Sequence, residues 1–368
     1  MLWLDVTKGL AILIVVYFHF SRTYLEHRSF APDDWSNLAA GTVTFLRSAW
    51  LRLGDMGFHA VGVFIILSGW ALMQSTARRA EKGAVAWGEW YRTRFLRLYP
   101  MYWVAHVVYL VSPFTARFEQ IDGRIVLSLL GLRFVDIGMN FFYLNAAWWY
   151  FSMLIQFYLI FPLLFWAARK LGPLPFLLGA SALGFFVRYL FLIPYPQDGM
   201  WILGGLALCR LPEFALGMAL GMWAARSPAR LERFLLSGVG LISGLILYPA
   251  ALQLYYNGFT YVFVDLATGA CCFLVLAGIA GVIARFPIPA RILGLVGAFS
   301  YGLYLIHHPY VIWLGFRIRE QPPWMFLLIA IATLTVLSAW GILLEKGTNA
   351  LVSKLFPAKA RPTGQVPS

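Results

Sequence analysis

Ten runs of apolar residues, each close to the length a helix needs to cross the hydrocarbon core of a bilayer, leave this chain little choice of fold. They lie near residues 4–24, 57–76, 98–113, 147–168, 174–194, 201–224, 234–256, 260–284, 291–316 and 323–345. No water is available there to take up a free N–H or C=O, so runs of this length are satisfied as helices. The expected fold class is all-α, a polytopic transmembrane bundle of about ten spanning helices. With 61% hydrophobic and 12% charged residues, a water-soluble globular chain is excluded. No polar stretch exceeds roughly 35 residues, too few for a folded soluble module. Residues 1–354 are therefore expected to form a single transmembrane domain, and 355–368 a short, polar, disordered tail.

Basic residues set the orientation. Arg78, Arg79, Lys82, Arg92, Arg94 and Arg97 follow the second run; Arg169 and Lys170, then Arg226, Arg230 and Arg233, then Arg285 and Arg291 follow at alternate connections, and Lys354, Lys359 and Arg361 end the chain. The intervening short loops around Asp198 and Asn257 carry no Lys or Arg. By the positive-inside rule both termini are expected in the cytoplasm. The same distribution explains the formal charge of +13 without nucleic acid, because the cations are scattered over short loops rather than gathered along a phosphate track. Two longer outer connections, 25–56 and 114–146, can fold over the membrane face, and IVLSLLGLRFV in the second is expected to be an interfacial or re-entrant helix. Cys209, Cys271 and Cys272 fall within apolar runs and read as small core residues.

Within this frame the ionisable residues inside the spans mark function. The first run, LWLDVTKGLAILIVVYFHFSR, holds Asp5, Lys8 and His19. At about 100° per residue the eleven-residue step from Lys8 to His19 closes three turns to within about 20°, and Asp5 precedes Lys8 by one turn. All three share one face. The step is about 16 Å long, which puts a cation near the cytoplasmic surface and an imidazole more than halfway across on one path. A signal peptide is disfavoured because no small-residue cleavage pattern follows His19 and nine further apolar runs do.

Other spans repeat the theme. Ser68 and Gly69 interrupt a bulky second run, either for close helix packing or to present a hydroxyl to a cavity. Asp55 and His59 stand one turn apart at its outer end and read equally well as a solvated rim. Arg94 and Arg97, one turn apart before Tyr99 and Pro100, suit either anionic lipid or a bidentate phosphate site to which Lys8 would add. Ser152 and Gln156 are interhelical polar glue, with Trp148 and Trp149 as interface anchors. Arg210 and Glu213 lie a turn apart well inside the sixth run, facing the interior. Ser300, Tyr304 and His307 or His308 follow helical spacing in the ninth run, before Pro309, and His308 matches the depth of His19, a pairing suited to proton relay. Glu345 reads as a solvated helix end. P-loop, dinucleotide, HExxH and paired-cysteine metal patterns are lacking, so an activated donor would have to bind the bundle itself.

Taken in order, these stretches resemble the integral-membrane acyltransferase-3 family, which O-acylates surface glycans and related molecules. That family's basic residue, ten positions and His are matched by Lys8 and His19; its FFxLSGF element is similar to VFIILSGW ending at Trp70; its arginine pair before Tyr-Pro is similar to Arg94, Arg97, Tyr99 and Pro100. Its QFY helix, RxxEFxxG stretch and SYxxYLxHxP helix match Gln156 to Tyr158, Arg210 to Gly217 and Ser300 to Pro309. The chain departs in one place: where the family carries Glu shortly after the fourth-segment serine, Met153, Leu154 and Ile155 follow Ser152.

The resemblance implies an acyltransferase moving a short acyl group, acetyl foremost, from cytoplasmic acyl-coenzyme A to a hydroxyl of a glycan or lipid-linked sugar at the outer face of a bacterial cytoplasmic (inner) membrane. His19 would be the general base, with Lys8 and Asp5 beside it in the catalytic set, and no metal is called for. Lys8, Arg94 and Arg97 would hold cofactor phosphates. Ser68, Arg210, Glu213, Ser300, Tyr304 and His308 are the candidates for acceptor or oxyanion contacts. A transporter or flippase of a modified lipid or glycan would use the same intramembrane charges and is the competing reading. Acceptor identity and oligomeric state are not written in the sequence.

Overall fold

The computed structural model describes residues 2–25, 53–112, 121–197 and 199–357. Most of the 25–56 connection, Asp198 and residues 358–368 of the tail lie outside the described residues. The helices, in chain order, are α1 (Leu2–Leu25), α2 (Met56–Ala80), α3 (Trp87–Val111), α4 (Arg124–Leu129), α5 (Ile137–Phe142), α6 (Trp149–Leu171), α7 (Pro173–Leu192), α8 (Leu211–Arg226), α9 (Pro228–Leu235), α10 (Gly238–Leu252), α11 (Val264–Ile283), α12 (Pro287–Ala298), α13 (Ser300–Arg317) and α14 (Pro323–Leu355). Among the described residues no strand occurs. The chain is an all-α polytopic membrane protein.

Among the described residues seven helices are long and apolar enough to span: α1, α2, α6, α7, α10, α11 and α14, and the pair α12 and α13, bent by 77°, makes an eighth if counted as one span. The sequence reads about ten runs of spanning length, against these seven or eight. The third run is part of a helix that is long enough but charged in its first half, and the sixth is interrupted. Helix α3 starts at Trp87, not near 98, so its first half carries Glu89, Arg92, Arg94 and Arg97, and the basic stretch is helix rather than loop. Before α8 the backbone breaks into a π turn at Trp201–Gly205 and a 3-10 turn at Ala207–Arg210, which leaves a helix of 16 residues. Gln156 of α6 serves that break at both ends: its Nε2 donates to the Gly205 carbonyl at 3.0 Å and its Oε1 accepts from the Ala207 N–H at 3.0 Å.

Outward faces carry long aliphatic side chains such as Leu163, Ile246, Val336 and Leu343, all exposed, which only lipid can cover. Inside, one apolar cluster joins α1, α2, α11, α13 and α14, a second joins α2, α6 and α8, and a third joins α3, α6 and α13. Close crossings depend on glycine at two places that matter for the site. A Cβ on Gly297 of α12 would overlap the Asp5 carbonyl of α1, and one on Gly9 would overlap the Leu293 carbonyl. These two glycines let α1 lie against α12 backbone to backbone.

The break between α12 and α13 at Phe299 opens first-turn N–H groups, and the Glu345 carboxylate of α14 accepts from one of them, Gly302 N, at 2.7 Å. Glu345 is therefore not a solvated helix end. Pro309 inside α13 cannot donate back to Leu305. That carbonyl is taken instead by Asn145 Nδ2 at 3.0 Å and Trp148 Nε1 at 2.9 Å. Trp148 is fully buried and stacks on His106 with ring centroids 4.0 Å apart, so it is a core residue and not an interface anchor. The IVLSLLGLRFV stretch folds as α4, a turn and a 3-10 turn with Ser128 and Arg133 fully buried; its charge points inward, unlike that of an interfacial helix.

Candidate active site

Helix α1 carries two of the key side chains because 3.6-residue periodicity sets them on one face, and the structure puts both in one cavity wall. This inner cavity, of about 180 Å³, is lined by Lys8, Val15 and His19 of α1, by Ser68 of α2, Arg94 and Arg97 of α3, Tyr150 and Tyr158 of α6, Ser300, Tyr304 and His307 of α13, and Glu345 of α14. Its cations are Lys8, Arg94 and Arg97. A second, wider cavity, of about 590 Å³ and the outer one on the orientation expected from the basic loops, is lined by His19 again, with Arg22, His59, Trp149, Arg210, Tyr255 and His308. Val15, His19, Val61, Ala147 and Trp149 belong to both walls. His19 stands where the two spaces meet.

Around it two more imidazoles gather. The His19 ring centroid is 4.8 Å from that of His308 and 5.4 Å from that of His307, with His308 on the outer cavity and His307 on the inner. Nδ1 of His307 faces the Tyr304 carbonyl at 2.8 Å and the Leu303 carbonyl at 3.2 Å. A carbonyl only accepts, so Nδ1 carries the proton and the buried, unpartnered Nε2 presents a lone pair. Among the described residues nothing hydrogen-bonds to the His19 ring, which leaves both its nitrogens for a bound substrate.

The cations are held differently. Lys8 Nζ pairs with Asp5 at 2.9 Å; Asp5 is not among the lining residues, so its place is beside the cation. Arg94 is buried, its Nη2 donates to Ser75 Oγ at 3.1 Å and its guanidinium lies 5.4 Å from the Trp90 ring centre, while its Nε has no partner. Arg97 is exposed at the cavity mouth. A buried guanidinium with an unused donor beside a second cation fits an incoming phosphate.

Hydroxyls complete the inner wall. Ser68 Oγ and Tyr150 Oη lie 3.3 Å apart. Tyr304 donates its hydroxyl proton to the Ala147 carbonyl and accepts from Phe151 N at 3.2 Å, so its one proton is already committed to backbone. Ser152 is fully buried and accepts from Phe134 N at 3.1 Å, which fits the expected polar glue between segments.

Deeper on the outer side, Arg210 pairs with Glu213 at 2.7 Å and with Asp265 at 3.6 Å, and Arg188 pairs with Asp265 at 2.5 Å. Sequence reasoning misses Arg188 and Asp265, although each is an ionisable residue inside an apolar run and so carries the usual signal of a buried partner. Glu213 lines neither cavity; of this cluster Arg210 alone reaches the outer wall. His59 is buried, its ring nitrogens 2.6 Å from Tyr248 Oη and 2.9 Å from Tyr255 Oη, so it is a bridge between helices and not a rim residue.

The family model described as an acyltransferase domain, acyltransferase-3 group, matches residues 1–342. The chain belongs to that family. It is an acyltransferase of the class that transfers groups other than amino-acyl groups, which decides against the transporter reading. It is similar to the Acyltransferase MdmB of Streptomyces mycarofaciens, with 26% identity over 291 residues, 71% of this chain and 70% of the relative. No solved structure matches it. In this acyltransferase the ordered motifs of the sequence converge: the first-helix Lys8 and His19, the second-helix Ser68, the arginines of α3 and the α13 histidines line connected walls.

Proposed function

We propose that this membrane O-acyltransferase carries a short acyl group, acetyl in the first instance, from coenzyme A on the cytoplasmic side to a hydroxyl of a glycan or lipid-linked sugar at the outer face of a bacterial cytoplasmic membrane. The observation that carries the reading is His19, common to the wall of a narrow cavity with a cationic mouth and to that of a wider one on the far side. An inner space of about 180 Å³ lies below the roughly 300 Å³ of ordinary small-molecule sites, so it suits an extended pantetheine arm and leaves the nucleotide outside. Lys8, Arg94 and Arg97 at the mouth are the phosphate partners. The bacterial source of the relative and the positive-inside pattern support the membrane assigned.

In this scheme the donor arm brings its thioester to His19 from within, and the acceptor hydroxyl reaches it from outside. His19 takes the hydroxyl proton as the oxygen bonds to the acyl carbon, the C–S bond breaks, and the proton passes to the departing thiolate. The Ser68 and Tyr150 hydroxyl pair faces the inner cavity and supplies a donor for the oxyanion. His307, with its Nε2 lone pair free, and His308 flank the base and can share the proton load.

Inside-out membrane vesicles containing the protein, given radiolabelled acetyl-coenzyme A, test the reading. Label is expected in the lumenal glycan or lipid fraction, and vesicles bearing His19→Ala, inserted to the same level, should show none above background. Equal labelling by both overturns the assignment.

A further inference from the structure

The outer segment between α3 and α6 takes no part in the chemistry above, yet a fully buried guanidinium organises it. Arg133 Nη2 donates to the carbonyls of Met139, Asn140, Tyr143 and Asn145 at 3.0, 3.1, 2.8 and 3.4 Å, and its Nη1 donates to Ser128 Oγ at 2.8 Å. These partners are dipoles, with no carboxylate among them. Of the three nitrogens of this buried cation only Nε lacks a partner, and through the other two the guanidinium and the turn at 139–145 hold each other in place.

The residues just beyond that turn wall the site. Asn145 and Trp148 anchor to the Leu305 carbonyl that Pro309 leaves open, and the Ala147 carbonyl takes the Tyr304 hydroxyl. Trp149 stacks on Phe141 with centroids 5.5 Å apart and packs so tightly on Gly204 that a Cβ there would overlap the indole. Ala147 and Trp149 are also two of the five residues common to both cavities.

We propose that Ala147 and Trp149 form a septum between the donor and acceptor cavities, and that Arg133 is the positioning residue that holds it shut to water. The inference rests on the donor and acceptor reading given under Proposed function. Its consequence is a partition of products. With the septum closed, the acyl carbon meets only the acceptor hydroxyl. With it loosened, water from the outer cavity reaches the thioester, its oxygen bonds to the acyl carbon, the C–S bond breaks, and one water proton passes through His19 to the thiolate. Carboxylic acid and free thiol are then released without transfer.

The same vesicles measure this as the ratio of free acetate to acetate incorporated in the glycan or lipid fraction, with His19→Ala vesicles subtracting background hydrolysis. Trp149→Ala and Arg133→Gln should raise the ratio about tenfold, and Arg133→Lys, which keeps the charge without the fork, should raise it less. A general loss of folded protein lowers both products together and leaves the ratio unchanged. If Arg133→Gln fails to insert, Trp149→Ala decides, since it leaves the buried cation alone. A wild-type ratio in well-inserted Trp149→Ala overturns the septum while leaving the transfer reading intact. Wild-type vesicles without His19-dependent label overturn the transfer reading, and the septum with it.

Discussion

The His19 and His308 rings meet edge to face, with centroids 4.8 Å apart and planes at 78°, across the boundary of the two cavities. The two residues come from opposite ends of the chain, on α1 and α13; His308 lines only the wider cavity, and His19 lines both. On the proposed reaction, with its two substrates drawn from opposite faces, a base that lines both cavities is one that both can reach.

Replacing His19 with Ala should cut turnover by about 10²–10⁴-fold, the usual contribution of a positioned base. Thermal unfolding in detergent should stay near that of the wild type, because nothing among the described residues hydrogen-bonds to the ring. His308→Asn should act on the acceptor side, lowering kcat/KM for the acceptor while the donor KM holds. A donor KM that moves instead would put His308 in the wrong cavity.

On the donor side, Arg94→Gln or Arg97→Gln should raise the KM for acetyl-coenzyme A by about ten- to hundredfold each, the range of one charge-assisted hydrogen bond of about 1.5–3 kcal/mol. The same substitutions should leave acetyl-pantetheine, which lacks the phosphates, unaffected relative to wild type. Steady-state kinetics with the two donors make the comparison, and an equal loss for both would move the arginines from phosphate binding to structure.

The relation of Lys8 to His19 is legible in the sequence because it lies within one helix, where 3.6 residues per turn fixes which side chains share a face. The choice between His307 and His308 is not, since neighbours on a helix point about 100° apart and only the packed partner decides which faces inward. The basic stretch of α3 reads as a loop because a run of arginines resembles a membrane-edge connection; nothing in the pattern says that the helix begins at Trp87. Arg133 and Trp148 are out of reach for a different reason. Their partners are carbonyls released by a tight turn and by Pro309, and a free carbonyl leaves no mark in the sequence. The sixth run does not read as interrupted because the break at 201–210 depends on Gln156 on another helix.

Arg188 and Asp265 join α7 to α11 through an ion pair that is almost fully buried. Arg188 also donates to the carbonyls of Val262 at 2.7 Å and Tyr261 at 3.0 Å. Asp265→Asn leaves that cation without its counter-charge and should cost about 3–5 kcal/mol, whereas Arg188→Met with Asp265→Leu removes both charges and should cost less. Unfolding in detergent followed by circular dichroism measures both. A single variant more stable than the double would show that the pair is not what holds these helices together.

The crossing of α1 over α12 is where folding and chemistry meet most directly. Gly9 and Gly297 face each other's helices without side chains, and a methyl at Gly297 would overlap the Asp5 carbonyl, one turn from Lys8. Gly297→Ala therefore has to push α1 away from α12, an overpacking strain of about 1–3 kcal/mol. The shift carries Lys8 and His19 with it, since both ride on α1, while Arg94 and His307 stay with α3 and α13. The variant should keep its helix content by circular dichroism and melt somewhat earlier. Its kcat should fall at least tenfold, because a displacement of about 1 Å at a reacting group can cost 10²-fold. Gly294→Ala, one turn earlier, would press on the flexible Leu2 side chain and meet Val6 at ordinary contact distance, and should keep near wild-type turnover. If the two alanines behave alike, the close approach of α1 to α12 does not govern the position of the base.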